Sequence, residues 1–252
     1  MSMMTPEDRD LVSRPKTRFR DNTPMIVAIH QPQYLPYLGF FHKLAHCDVF
    51  VALDHVQFQK NGLQNRNRIK TGSKEGLQWI TVPVRHKFGQ AINEAQMDSS
   101  LPWQKKHWNA LLVNYSRARC FRAYADQLQR LLHAEYRSLS HLDMDLIAWC
   151  MEALEIRTPV VYSSQLGLGG QATSLLVNIC RAVGADAYLS GPGGARYMEM
   201  ALFEEAGLQV RWQDFDCHAY EQQFPEAGFV PNLSVIDALL NCGRDVVSLV
   251  NS

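Results

Sequence analysis

Met25-Ile26-Val27-Ala28-Ile29-His30, Gln31-Pro32-Gln33-Tyr34-Leu35-Pro36, Tyr37-Leu38-Gly39-Phe40-Phe41-His42-Lys43-Leu44-Ala45-His46 and, after Cys47, Asp48-Val49-Phe50-Val51-Ala52-Leu53 are consecutive segments whose patterns set the fold class. The first is a short apolar run that ends on a histidine, as a strand buried on both faces does. The second is punctuated by two prolines and reads as a stiff loop. In the third, Leu38, Phe41, Leu44 and Ala45 recur at helical spacing, which predicts a helix over 37–46. The last is a second apolar run of strand length. Strand, loop, helix and strand in this order make a βαβ unit, so the sheet is parallel here.

The same alternation returns near the end of the chain. Val160–Ser163, Ala187–Leu189 and Leu208–Trp212 read as strands, with helices predicted over Ala172–Val183 and Arg196–Ala206, the latter closed by Gly207. A terminal helix starts near Leu233, capped by Asn232 or Ser234. Between the two α/β parts, residues 68–84 read as a hairpin. Helices are expected from Pro102 to about Arg117, over Phe121–Ala134 and over Leu142–Ile156. The expected architecture is an α/β domain over 24–252 with a mostly parallel, Rossmann-like or HUP-like sheet and a helical insertion over about 102–156. Residues 1–23 are polar, mixed in charge and without the apolar core of a signal peptide, and read as a flexible extension.

Composition excludes several classes. Lys+Arg is 25 and Asp+Glu is 25, so the net charge is zero and a polyanion-wrapping surface is not indicated. Apolar residues make up 46% and charged residues 20%, as in ordinary globular domains. No apolar run reaches membrane-spanning length. The six cysteines form no Cys-x-x-Cys pair or zinc knuckle, and reduced thiols point to the cytoplasm.

Three segments carry candidate chemistry. In open α/β sheets, ligands bind at the carboxyl ends of strands. His30, Gln31, Gln33 and Tyr34 stand at one such end, with Gly39 near the start of the following helix. Asp54 and Gln57 follow the second strand and lead into Lys60-Asn61-Gly62-Leu63-Gln64-Asn65-Arg66-Asn67-Arg68-Ile69-Lys70. If 65–70 is extended, Arg66, Arg68 and Lys70 share one face, which suits a phosphate or carboxylate, and Asn65 and Asn67 share the other. The third segment is the glycine-rich loop Ser190-Gly191-Pro192-Gly193-Gly194 with Arg196 and Tyr197, whose backbone N–H groups suit an anion. It is neither a dinucleotide fingerprint nor a P-loop. Arg196 in a first helical turn opposes the helix dipole unless an anion sits there. His42 and His46, four apart on one helix, have no third metal ligand placed near them, and no metal site is assigned.

Several of these segments together resemble the WbqC-like protein family. The match rests on His30 through Phe40, Asp48 through Phe58, Gln64-Asn65-Arg66-Asn67-Arg68-Ile69-Lys70, Ala187-Tyr188-Leu189-Ser190-Gly191 and Arg196-Tyr197, and spans about residues 25–243. The resemblance implies a place among surface-polysaccharide or specialised-metabolite genes, and acyl or aminoacyl transfer to an amino group. A looser likeness is to nucleotidyltransferases of the HUP class, in which a strand leads into a His-x-Gly-His turn. Pro36, Gly39 and Asp48 fit that layout, but Tyr37 and Phe40 stand at the nearest places to the histidines and only Gly39 carries over. That likeness implies ATP or another nucleoside triphosphate with Mg²⁺.

The expected activity is therefore an enzyme joining an acyl or aminoacyl group to an amine of a phosphorylated or nucleotide-linked small molecule. His30 is the candidate base, Lys43 and Asp54 are further catalytic candidates, and Arg66, Arg68, Lys70 and Arg196 are expected to hold anionic groups. The alternatives are a nucleotidyltransferase, and a non-catalytic protein that docks a carrier protein or a charged tRNA on the basic run.

Overall fold

The computed structural model describes residues 23–252; the extension expected over 1–23 lies almost wholly outside the described residues. The central sheet contains β1 (Ile26–His30), β2 (Val49–Ala52), β7 (Val160–Tyr162), β8 (Ala187–Ser190) and β9 (Gln209–Trp212), in the spatial order β7-β2-β1-β8-β9 and parallel throughout. Val27 pairs with Val49 on one side and Tyr188 on the other, so β1 is the central strand.

Alternate residues divide between the faces, because successive strand side chains point opposite ways. Val27, Ile29, Val49, Val51 and Tyr188 pack into one core with α5 (Ala172–Val183) and α6 (Met200–Glu205). Ala28, Phe50, Ala52 and Leu189 pack into the other with α1 (Leu38–Ala45). Both faces are covered, which explains why the strands read as unbroken apolar runs.

The chain between β2 and β7 builds a second layer onto the α1 side. It contains the antiparallel hairpin of β3 (Arg66–Lys70) and β4 (Leu77–Thr81) and a small ladder of β5 (Val84–Arg85) and β6 (Gln96–Met97). Helices α2 (Trp103–Tyr115), α3 (Phe121–His133) and α4 (Leu139–Ala153) follow. The helical block matches expectation, whereas the two-residue strands of the small ladder are too short to leave a periodic signal. The C-terminal helices α7 (Val235–Cys242) and α8 (Val246–Val250) close this layer. Ser234 caps α7 by accepting from Ile236 N at 3.3 Å. All six cysteines are free thiols. Among the described residues, no helix is long and apolar enough to cross a membrane.

One element differs from expectation. The helix expected over 196–206 is broken: Pro192–Arg196 forms a short 3-10 turn and α6 starts at Met200. Proline suits the first position of such a turn, since its missing N–H would have no partner there. Glu199 N donates to Thr173 Oγ1 at 3.1 Å, which fixes the start of α6 beyond the break. Arg196 ends the turn and is exposed, so the opposition to a helix dipole expected for it does not arise.

Candidate functional site

Chain order reverses between β1 and β8: the chain steps from β1 outward to β2 and β7, then returns to β8 on the far side of β1. Ligands of open α/β sheets bind outside the carboxyl ends of the strands at this switch point. His30 ends β1 and Ser190 ends β8, so the first and third sequence segments meet there.

The ammonium of Lys43 is the main electrostatic feature of this end of the sheet. Lys43 is 6% exposed, and among the described residues its Nζ has neither a hydrogen bond nor an ion pair. A side-chain carbon built on Gly191 would lie 3.3 Å from Nζ, so glycine at 191 lets the loop close over the lysine. Burial lowers the Lys43 pKa to about 8. His30 is half-buried, with its ring edge-on to Phe40. Its Nδ1–H donates to Gln31 O at 2.9 Å, which leaves Nε2 as the lone-pair nitrogen. Burial first, and the Lys43 charge second, hold His30 down at about 3, against the hydrogen bond to Gln31.

A cleft of about 420 Å³ opens beside this point. Pro192, next to Gly191, forms part of its wall, with Gln213 and Phe215 from beyond β9. Tyr37, at the start of α1, meets Phe215 edge-to-face at 6.3 Å. Gly39 sits beneath this pair, where any side chain would strike both rings. The opposite wall is the hairpin, through Asn67, Arg68 and Trp79. Arg66 and Arg68 lie over the Trp79 ring, at 4.2 and 5.7 Å from its centroid.

Backbone contacts hold the hairpin in place. Asn67 Nδ2 donates to Leu35 O at 2.7 Å, Ser234 N donates to Arg68 O at 3.0 Å, and Val235 N donates to Pro36 O at 2.7 Å. Gln64 Nε2 donates to Gln31 Oε1 at 2.8 Å, linking the polar run to the first loop. Tyr34 N donates to Leu63 O, joining the same two segments. Three buried polar atoms of these two segments, Gln33 Oε1, Asn65 Oδ1 and Arg66 Nε, have no hydrogen-bond partner among the described residues.

Other sequence candidates have different surroundings. Lys70 is separated from Arg66 and Arg68: it is buried, and its ammonium donates to Gly228 O. Its backbone N–H donates to Tyr115 Oη, which in turn donates to Asp237 Oδ1 at 2.7 Å. Tyr220 Oη donates to the other Asp237 oxygen at 2.8 Å. Three cations on one open face are therefore not formed, because the end of β3 is roofed by the segment around Phe224 and Gly228. Asp54 is buried and accepts from Ser163 Oγ at 3.0 Å, Ser164 N at 2.9 Å and Ser164 Oγ at 2.7 Å, pinning the end of β2 to the turn after β7. Tyr34 is fully buried and its hydroxyl donates to His107 Nδ1 at 2.8 Å. Gln57 and Lys60 are exposed and do not line the cleft. Gly193 and Tyr197 are exposed beside the switch point, and Gly194 packs tightly against Ser190 and Met198.

His42 does not present a metal-binding edge. Gln213 Nε2 donates to its Nδ1 at 3.0 Å and to Gly39 O at 2.6 Å, and His42 Nε2 donates to Ser252 O at 3.2 Å. Among the described residues, no group of three or more His, Cys, Asp or Glu side chains is arranged to hold a metal ion. Sequence reading overlooked Gln213, Phe215, Trp79 and Asn232. The first two follow a strand of the sheet, so their position after a strand end was the available signal.

Fold and cleft define a doubly wound α/β protein with a cationic candidate site at its topological switch point. The chain belongs to the WbqC-like protein family, whose profile matches residues 31–249. A protein of Mycobacterium tuberculosis (strain ATCC 25618 / H37Rv), called Uncharacterized protein Rv1507c, is 39% identical over 223 residues, covering 87% of this chain and 94% of its own. No solved structure gives a significant match.

Proposed function

We propose that this chain is a biosynthetic enzyme that transfers an acyl or aminoacyl group to an amine on a phosphorylated or nucleotide-linked substrate. The observation that carries the reading is Lys43 at the switch point, a largely buried lysine whose ammonium has no hydrogen bond or ion pair among the described residues. A cation held largely out of water without a partner is costly to the free protein, and a ligand anion relieves that cost. In this reading Lys43 holds a phosphate of the substrate, with Ser190 and Gly191 beside it and Arg68 in the adjoining cleft wall.

In the proposed reaction, the neutral amine nitrogen bonds to the acyl carbon and the bond from that carbon to its donor breaks. The donor leaves with the electron pair. The proton released by the amine passes to His30 Nε2. His30 alone is a weak base at neutral pH, with its pKa near 3. An anion on Lys43 offsets the smaller of the two causes of that depression and so raises the histidine's basicity, while burial, the larger cause, still holds it down. The strand order and the glycine-rich turn also support a nucleotidyltransferase, in which pyrophosphate is released. The tRNA-docking alternative is weakened, because Lys70 is withdrawn from the basic run.

The test is amide formation followed by mass spectrometry. The protein is incubated with acyl-coenzyme A or aminoacyl-tRNA donors and amino-sugar nucleotides, with pyrophosphate measured in parallel. A product that depends on Lys43 and His30 is expected. Full turnover by both Lys43→Met and His30→Ala would overturn the roles, and NTP-dependent pyrophosphate release without amide would replace acyl transfer by nucleotidyl transfer.

A further inference from the structure

The cleft beside Lys43 has the chemistry of a base-stacking subsite. Trp79 is 42% exposed and contributes its indole to the cleft wall. Two guanidinium groups lie over this ring, which keeps it in place and surrounds it with positive charge. The cleft also offers hydrogen-bonding edges. Gln213 uses its Nε2 internally but its Oε1 has no donor among the described residues, and the exposed Asn232 lines the same space. A flat aromatic face, amide edges and arginines suit a polar planar ring carrying negative charge better than a neutral sugar or a purely apolar chain.

The cleft's position beside Gly191, which lies against Lys43, gives the ligand's parts their order. Pro192 walls the cleft, and its neighbour Gly191 lies against Lys43 Nζ. We infer that the substrate is a nucleoside diphosphate derivative, with its base stacked on Trp79, its phosphates running past Arg68 and Pro192, and its innermost phosphate on Lys43. This inference rests on the proposed anion role of Lys43 and narrows it, selecting the nucleotide-linked class over simple phosphate esters.

Calorimetric titration with UDP, ADP and inorganic pyrophosphate tests it. Stacking tolerates different bases, so both nucleotides are expected to bind about tenfold or more tightly than pyrophosphate. Trp79→Ala is expected to bring the nucleotides down to the affinity of pyrophosphate while leaving pyrophosphate unchanged, and Trp79→Phe to restore most of the difference. Lys43→Met is expected to weaken all three. If pyrophosphate binds through Lys43 but the nucleotides gain nothing, or Trp79→Ala leaves their gain intact, the stacking subsite is wrong and the anion site stands. If none of the three binds the wild-type protein, the anion reading of Lys43 fails and the subsite falls with it.

Discussion

Removing the Asp54 carboxylate separates a structural part from a chemical one. Asp54 is 4% exposed and accepts three hydrogen bonds, from Ser163 Oγ, Ser164 N and Ser164 Oγ. The Ser163 hydroxyl also accepts from Asp54 N at 3.2 Å and from His55 Nδ1 at 2.6 Å, so one serine ties together two consecutive residues after β2. Hydrogen bonds to a charged acceptor contribute roughly 1.5–3 kcal/mol each. Ser164 is exposed, so water can replace part of what its two bonds provide. Asp54→Ala is therefore expected to cost about 3 kcal/mol, and Asp54→Asn about half of that, since one acceptor oxygen remains. For a chain of this size, about 3 kcal/mol corresponds to a fall in melting temperature of roughly 6–12 °C. Thermal and urea unfolding followed by circular dichroism measure both variants. A Tm for Asp54→Ala within a degree or two of wild type would refute the pinning role. If turnover also vanished at that unchanged stability, Asp54 would act on the substrate itself.

Further outcomes follow from other residues. Lys43 has a folded pKa of about 8, below the ordinary 10.5, so the unfolded chain holds more protons between these values. Stability should therefore rise as pH increases from about 8 to 10.5, and Lys43→Met should abolish that slope and stabilise the protein at pH 7 by up to about 3 kcal/mol while losing anion binding. Urea midpoints across that pH range decide the matter. His107, held at about 4 by burial, and His30, at about 3, give the matching acid-side effect: stability should be lost as pH falls from 6.5 toward 4. A His107→Gln variant with an undiminished acid slope would count against the buried imidazole. Gly39→Ala should push the Tyr37 and Phe215 rings apart, and so weaken nucleotide binding in calorimetry more than it lowers the melting temperature. Asp237→Ala strands the Tyr115 and Tyr220 hydroxyls and should destabilise by about 2–5 kcal/mol, measured by urea unfolding.

Local physics was enough to read much of this protein from its sequence. The apolar runs over 25–30 and 48–53 have the length and composition of strands covered on both faces, and the loop and helix between them point to a parallel pair. Ala172–Val183 was legible as a helix, and the structure closes it at Gly184 in a left-handed conformation. The three polar segments were also legible as candidates, since each follows or leads an element end. What they do together was set by contacts remote in sequence. Strand order brings residue 30 beside residue 190, and nothing in either segment encodes that neighbour. Arg66, Arg68 and Lys70 alternate identically along β3, yet the segment around Phe224 and Gly228 covers only the last, so periodicity could not tell a free cation from a buried one. Arg196 lies outside an α-helix because Pro192 opens a 3-10 turn that ends at Arg196, and the Thr173 contact to Glu199 N sets the start of α6 further on. Sequence by itself determined the α/β class, the parallel βαβ unit and the helical block, because these depend on periods and caps within short windows. Tertiary structure alone decided that Lys43 is largely buried and that Trp79 faces a cleft walled by Pro192 and Phe215, because both depend on which surfaces the crossover and the hairpin leave uncovered.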